Sequence, residues 1–186
     1  QVQDTVASLN ALAPPLKFIF DDFIPGIGLL KGFGIDFSTR FFNFVNMKYV
    51  HPKLKQELME AKHNFLNSGG STFQAALYTN SASFTAATTA YTTSNEVTGT
   101  GYTAKGNSLT RVDPSTSGTT ALTDFADTTW TSSTITARGS LIFNDSASGD
   151  PSVIVLDFGS DKSSSSGDFK IVFPAADASN AIIRIA

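Results

Sequence analysis

Apolar residues follow two different patterns along this chain, and the change comes near Gly69-Gly70. After that point, short runs rich in Val, Ile, Thr and Phe alternate with clusters of Gly, Asp, Asn, Ser and Pro. The runs at 73–79, 107–113, 119–125, 133–144, 152–158, 168–174 and 181–186 are predicted strands. Several alternate with a period of two, the mark of a strand with one covered face. Val153, Val155 and Asp157 oppose Ile154, Leu156 and Phe158. Phe169, Ile171 and Phe173 oppose Asp168, Lys170 and Val172, and Ile183 and Ile185 oppose Ile182 and Arg184. No helical spacing separates the runs, so parallel βαβ units are not expected. The fold predicted is mainly β: an antiparallel β-sandwich, Ig-like or jelly-roll-like, over residues 71–186. PSTSG (114–118), DSASGDP (145–151) and GSDKSSSSGD (159–168) read as turns between strands.

Residues 1–70 read differently, as an irregular and helical N-terminal arm. Ala13-Pro14-Pro15, Pro25, Gly26, Gly28, Gly32 and Gly34 interrupt any regular element. A short helix over 37–49 would carry Phe41, Phe42, Phe44 and Val45. The clearest helix is predicted over 53–67. There Leu54, Leu58, Ala61 and Phe65 share one face at a period of 3.6, with Pro52 in the first turn and Gly69 as the stop. SGGST at 68–72 is the predicted boundary between arm and sandwich.

Composition narrows the function. The 186 residues suit one domain with an arm. A net charge of −3 argues against nucleic acid as a partner, because phosphate binding needs a basic patch. The absence of Cys excludes disulfides, thiolate catalysis and Cys-based zinc sites. The most apolar stretch, 16–50, is broken by Asp21, Asp22, Lys31, Asp36 and Arg40, so no membrane span is expected.

Candidate chemistry is sparse. Gly101 to Ser108, GYTAKGNS, nearly fits the phosphate-loop pattern GxxxxGK[ST], but Asn107 stands where the lysine belongs and a β-patterned run follows instead of a helix. Glycine turns between strands explain it better. Gly26 to Gly34 has its third glycine one place late for a dinucleotide fingerprint. Asp157-Phe158-Gly159 lacks the rest of a kinase motif set. His51 and His63 would need further ligands for a metal, and Glu57 and Glu60 read better as partners of Lys53 or Lys55. The carboxylate pairs Asp124/Asp127 and Asp145/Asp150 fall in predicted turns, where Asp bonds its own backbone, with calcium in these loops a minor option. Trp130, Tyr78, Tyr91 and Tyr102 offer sugar platforms, a weak case with a single Trp. No catalytic residue, cofactor or metal is therefore expected.

One feature does ask for a partner. Phe18, Phe20, Phe23, Phe33, Phe37, Phe41, Phe42 and Phe44 crowd a stretch too broken to close a core by itself. Together with Leu54, Leu58 and Phe65 they form the candidate partner-binding set. Docking on another subunit is the favoured expectation, and folding back over the chain's own sandwich is the alternative.

The second part of the chain carries a resemblance. The segments FQAALYTNSASFTAATTAYTTSNEVTGTGYTAKGNSLT, STSGTTALTDFADTTWTSSTITARGSLIFN and VIVLDFGSDKSSSSGDFKIVFPAADASNAIIRIA resemble a family of small structural proteins of tailed bacteriophages and prophages. The likeness covers about residues 73–186 and leaves the N-terminal extension unmatched. It implies a non-enzymatic virion component, similar to head decoration or tail-associated proteins, and supplies no active-site residues. The partners it implies are the major capsid protein or other virion proteins, and sibling copies in a homo-oligomer. The location it implies is the virion, on the capsid surface or on the tail.

Overall fold

The computed structural model describes residues 52–85 and 88–185. They form a mainly β body with one short helix, α1 (Pro52–Met59). The strands are β1 (Phe73–Tyr78), β2 (Asn107–Leu109), β3 (Arg111–Ser117), β4 (Thr120–Phe125), β5 (Thr128–Asn144), β6 (Ser152–Ile171) and β7 (Ile183–Ile185). One sheet has the order β2-β1-β5-β6 and the other β3-β4-β7. Every pairing is antiparallel, as the strand pattern requires. The architecture is sandwich-like. Its strand order differs from the immunoglobulin order, and the seven described strands differ from the eight of a jelly roll.

The main core is aromatic. Phe65 stacks on Phe73 with centroids 4.6 Å apart, Phe73 meets Phe125 at 5.6 Å, and Phe125 meets Phe173 at 5.7 Å. Ile154, Leu156, Phe158, Phe169 and Ile171 fill the same core, so the alternation read in β6 holds from Ile154 onward, while Val153, read on the opposite face, joins this core as well. The opposite face of the four-stranded sheet is covered too. There Tyr78 packs edge-on to Phe84 and Tyr91 stacks on Phe143, both at 4.6 Å, beside Ala76 and Leu141. This double cover explains why FQAALY in β1 shows no polar alternation.

Four elements depart from expectation. The helix stops at Met59 and does not reach residue 67. Its end is a Schellman turn: the Ala61 N–H donates to the Leu58 carbonyl at 3.1 Å and the Lys62 N–H to the Glu57 carbonyl at 2.8 Å. Ala61 sits at φ 55, a conformation usually left to Gly. Beyond it the chain alternates in and out, burying His63 and Phe65. Replacing Ala61 by Gly removes the Cβ penalty at an exposed site. The expected gain is about 0.5–1 kcal/mol, read as a higher urea midpoint with an unchanged slope.

The predicted strand 107–113 is two strands. It breaks at Thr110, where the chain passes from one sheet to the other. β3 then takes in Pro114 to Ser117 of PSTSG, read above as a turn, leaving only Gly118 of that run in the turn, and is exposed along most of its length. The third departure is GSDKSSSSGD, which lies within β6 and pairs with β5 through Ile135↔Ser164 and Thr136↔Ser163. Outward-facing residues dominate it, so no apolar period marks it as strand. The last concerns SGGST. Phe65 and Phe73 stack across it, and the Arg111 guanidinium bonds the carbonyls of Leu66 at 2.9 Å and Asn67 at 2.7 Å. The core therefore runs through the predicted boundary.

Candidate functional site

The stretch with the phosphate-loop-like spacing folds as a strap along the edge of β1. β2 pairs with β1 only from Phe73 to Ala75. Beyond that, the Val97 N–H donates to the Leu77 carbonyl at 2.8 Å and the Leu77 N–H donates to the Tyr102 hydroxyl at 2.9 Å. A phenol thus stands in for a strand carbonyl and blunts an open edge. The strap is organised by Glu96. Its carboxylate accepts from the hydroxyls of Tyr91 at 2.6 Å and Tyr102 at 2.7 Å, and from the Lys105 N–H at 2.7 Å. Burial first, and then the neighbouring Glu96, push the Tyr91 hydroxyl up to about 12 and the Tyr102 hydroxyl well above the ordinary tyrosine range.

Lys105 closes the strap. Its Nζ lies 2.6 Å from Asp145 Oδ1 and 3.0 Å from Asp150 Oδ2, both at the β5–β6 turn. The ammonium also stands 5.6 Å from the Tyr91 ring centroid and 5.8 Å from that of Phe143. The hydrogen bonds it donates to the two carboxylates hold it well above the usual lysine range. Lys105 (φ 73) and Asp150 (φ 44) both adopt the left-handed conformation. For lysine, which has no short polar group to bond its own backbone, this costs about 1–2 kcal/mol, while a partly exposed ion pair returns about 0–1. The strand β2 follows directly, with no helix whose amides could hold phosphate. The Asp145/Asp150 pair read from the sequence does converge, but on a cation.

A second cluster lies at the base of α1. Glu57, His63 and Asn144 are all buried. His63 Nε2 is 2.9 Å from Glu57 Oε2, and Lys62 Nζ is 3.0 Å from Glu57 Oε1. Asn144 donates its amide to the Lys62 carbonyl at 3.2 Å and to His63 Nδ1 at 3.1 Å, and its Oδ1 accepts from the Ser146 N–H and hydroxyl. The Lys62 carbonyl and Ser146 N–H fix which way the amide points. His63 Nδ1 is then an acceptor, and Nε2–H donates to Glu57. Burial pushes the Glu57 carboxyl up, but the bonds from His63 and Lys62 outweigh it and hold the group below the ordinary range. Glu57 is thus a partner of Lys62 and His63, not of Lys53 or Lys55. His51 lies outside the described residues.

Asp124 is the second buried acid among the described residues, accepting from the N–H groups of Phe125 at 2.7 Å and Ile182 at 3.0 Å. Burial pushes its carboxyl up to about 6, from 3.8 when free. Between those values the folded chain keeps a proton that the unfolded chain releases, so its contribution to stability falls as pH rises. The full effect is about 3 kcal/mol, of which roughly 1 falls between pH 5 and 7. Glu57 acts oppositely, since its stabilisation is lost only as pH drops below about 4.5. Asp124→Asn should therefore gain about 1 kcal/mol on wild type between pH 5 and 7, read as the difference in urea midpoints.

The other candidates separate. Asp127 accepts from the Phe173 N–H and pairs with Lys170 at 2.8 Å, away from any role shared with Asp124. Asp157 pairs with Arg138 and caps the Gly159 N–H. Among the described residues no three His, Cys, Asp or Glu stand close enough to hold a metal ion. Trp130 and Tyr78 are core residues, 3% and 1% exposed, so neither presents a sugar platform. Of the partner-binding set, Leu54 and Phe65 are buried in the chain's own core and Leu58 packs against it. Phe18, Phe20, Phe23, Phe33, Phe37, Phe41, Phe42 and Phe44 lie outside the described residues. Neither network was legible in the sequence beyond its residue types, because each joins positions tens of residues apart. Set against protein-family models, curated proteins and solved structures, the chain matches none of them.

Proposed function

We propose that the chain is a non-enzymatic virion structural protein, a capsid decoration or cement protein. It holds the major capsid protein and sibling copies through the phenylalanine-rich residues before Pro52, and displays the β body outward. One observation carries this reading. The described residues already build a continuous core, and the sequence adds eight more phenylalanines between Phe18 and Phe44. Apolar surface of that amount finds cover at subunit junctions, at roughly 25 cal/mol per Å² before ordering costs are subtracted. A protein that binds only the assembled shell stabilises it by mass action. The resemblance of residues 73–186 to phage structural proteins points the same way.

The packing of Leu54 and Phe65 sets where the chain should be cut. Deleting residues 1–51 keeps α1 and should leave a folded body that no longer sediments with particles. A truncated chain that still binds particles at wild-type affinity would end the proposal. If the deletion does not fold, the full chain with Phe41, Phe42 and Phe44 changed to Ser takes its place. A tail, collar or fibre adaptor is the second reading, and copy number separates the two. Hundreds of copies per particle mean the shell, and a small symmetric ring means the tail. A carbohydrate-binding module has less support, given the buried Trp130.

A further inference from the structure

We propose that Lys105 and Asp145 are the partners of an intramolecular isopeptide bond, with Asp150 as the proton-carrying acid between them. Three requirements of that chemistry meet at one place. A primary amine lies against a carboxyl group, with Lys105 Nζ 2.6 Å from Asp145 Oδ1. A second carboxyl, Asp150 Oδ2, sits 3.0 Å from the same nitrogen and can take and return protons. The stacked rings of Tyr91 and Phe143 form one wall and keep water from that side. The backbone is strained to make the meeting, because Lys105 and Asp150 both take left-handed conformations. A partly exposed ion pair returns too little to account for that strain at the lysine.

The step balances without any co-reactant. Asp150 accepts a proton from the Lys105 ammonium and relays it to the Asp145 carboxylate. The freed amine attacks Cγ of Asp145, a C–N bond forms, and the nitrogen loses a second proton. That proton leaves with the Asp145 hydroxyl as water, so one ammonium and one carboxylate become one amide and one water. The ammonium holds its proton firmly, which makes the reaction slow. It has to occur only once in the life of each chain. The bond would tie the strap before β2 to the end of β5, across 40 positions of sequence and on both sides of β1.

The test is the intact mass of the full-length purified chain, fresh and after long incubation at pH 7 and pH 9. The expected result is a species lighter by about 18 Da, one water, forming faster at pH 9, with a digest fragment joining Lys105 to Asp145. Lys105→Arg should abolish it. Asp150→Asn should slow it at least tenfold while Lys105 and Asp145 remain. Full mass at every time point would overturn the assignment. So would a water loss that survives in Lys105→Arg, since ring closure at Asp145-Ser146 gives the same mass without a cross-link. The reaction needs no particle, so its outcome is independent of whether the chain decorates a capsid.

Discussion

Gly106→Ala is expected to lose about 3–5 kcal/mol of folding stability, which for a domain of this size lowers Tm by roughly 10–15 °C. Gly106 has φ 72, and a Cβ added there would press into the backbone of Ala75, reaching its carbonyl oxygen and coming 2.7 Å from its carbonyl carbon. Ala75 is the last β1 residue paired with β2, and it also pairs with Ile142 of β5. It cannot retreat without breaking that ladder, and the clash is with backbone, so no rotamer change relieves it. Gly118 separates the two parts of this cost. It has φ 58 with nothing within 4 Å of an added Cβ, so Gly118→Ala carries the conformational penalty alone, about 1 kcal/mol. Thermal unfolding followed by circular dichroism compares them. Equal losses at the two positions would mean that the strap does not sit against β1 as described. The same close approach that excludes a side chain brings Lys105 to the β5–β6 turn.

The second large effect is expected at Asn144. Asn144→Ala removes the donor to the Lys62 carbonyl and to His63 Nδ1, and the acceptor of two bonds from Ser146. His63 Nδ1 is then left buried and unpaired, at about 1–3 kcal/mol, while the exposed Ser146 turns to water. The side chain is itself wholly buried, so a cavity adds to the loss. We expect a total of about 3–5 kcal/mol. Glu57→Ala should cost about 2–3 kcal/mol, because it leaves His63 without its acceptor. The two losses should not add, since both act through His63. A double variant less destabilised than the sum by about 1 kcal/mol or more is the signature of one network. Urea unfolding of the four proteins measures this. Strict additivity would show that Glu57 and Asn144 work separately.

These networks mark the limit of what a linear reading reaches. The strands with one covered face were legible, because β6 from Ile154 to Phe158 and again from Phe169 to Ile171 alternates into a core that water cannot enter. Antiparallel pairing was legible as well, from the absence of helical crossovers. The Ser-rich middle of β6 and the exposed β3 were not, since a strand facing water carries no apolar period to report it. Their pairing is a consequence of their neighbours: once Thr136 is held in β5, Ser163 has a partner waiting. The helix misled by a true pattern. Leu54 and Phe65 are both inward, but the chain turns at Ala61 and brings Phe65 in from an extended segment, where spacing along a helix no longer applies.

The candidate site divides in the same way. Its residue types, a lone lysine among glycines and two aspartates in a turn, stood in the sequence as separate readings. Their meeting depends on β1 running between β2 and β5, in a sheet packed through Phe73, Phe125 and Phe65 rather than through Lys105 itself. Local pattern is written by contact with water or core at each residue, so it survives in one dimension. Convergence of Lys105 with Asp145, or of His63 with Asn144, is written by which strands lie side by side, and only the folded chain decides that.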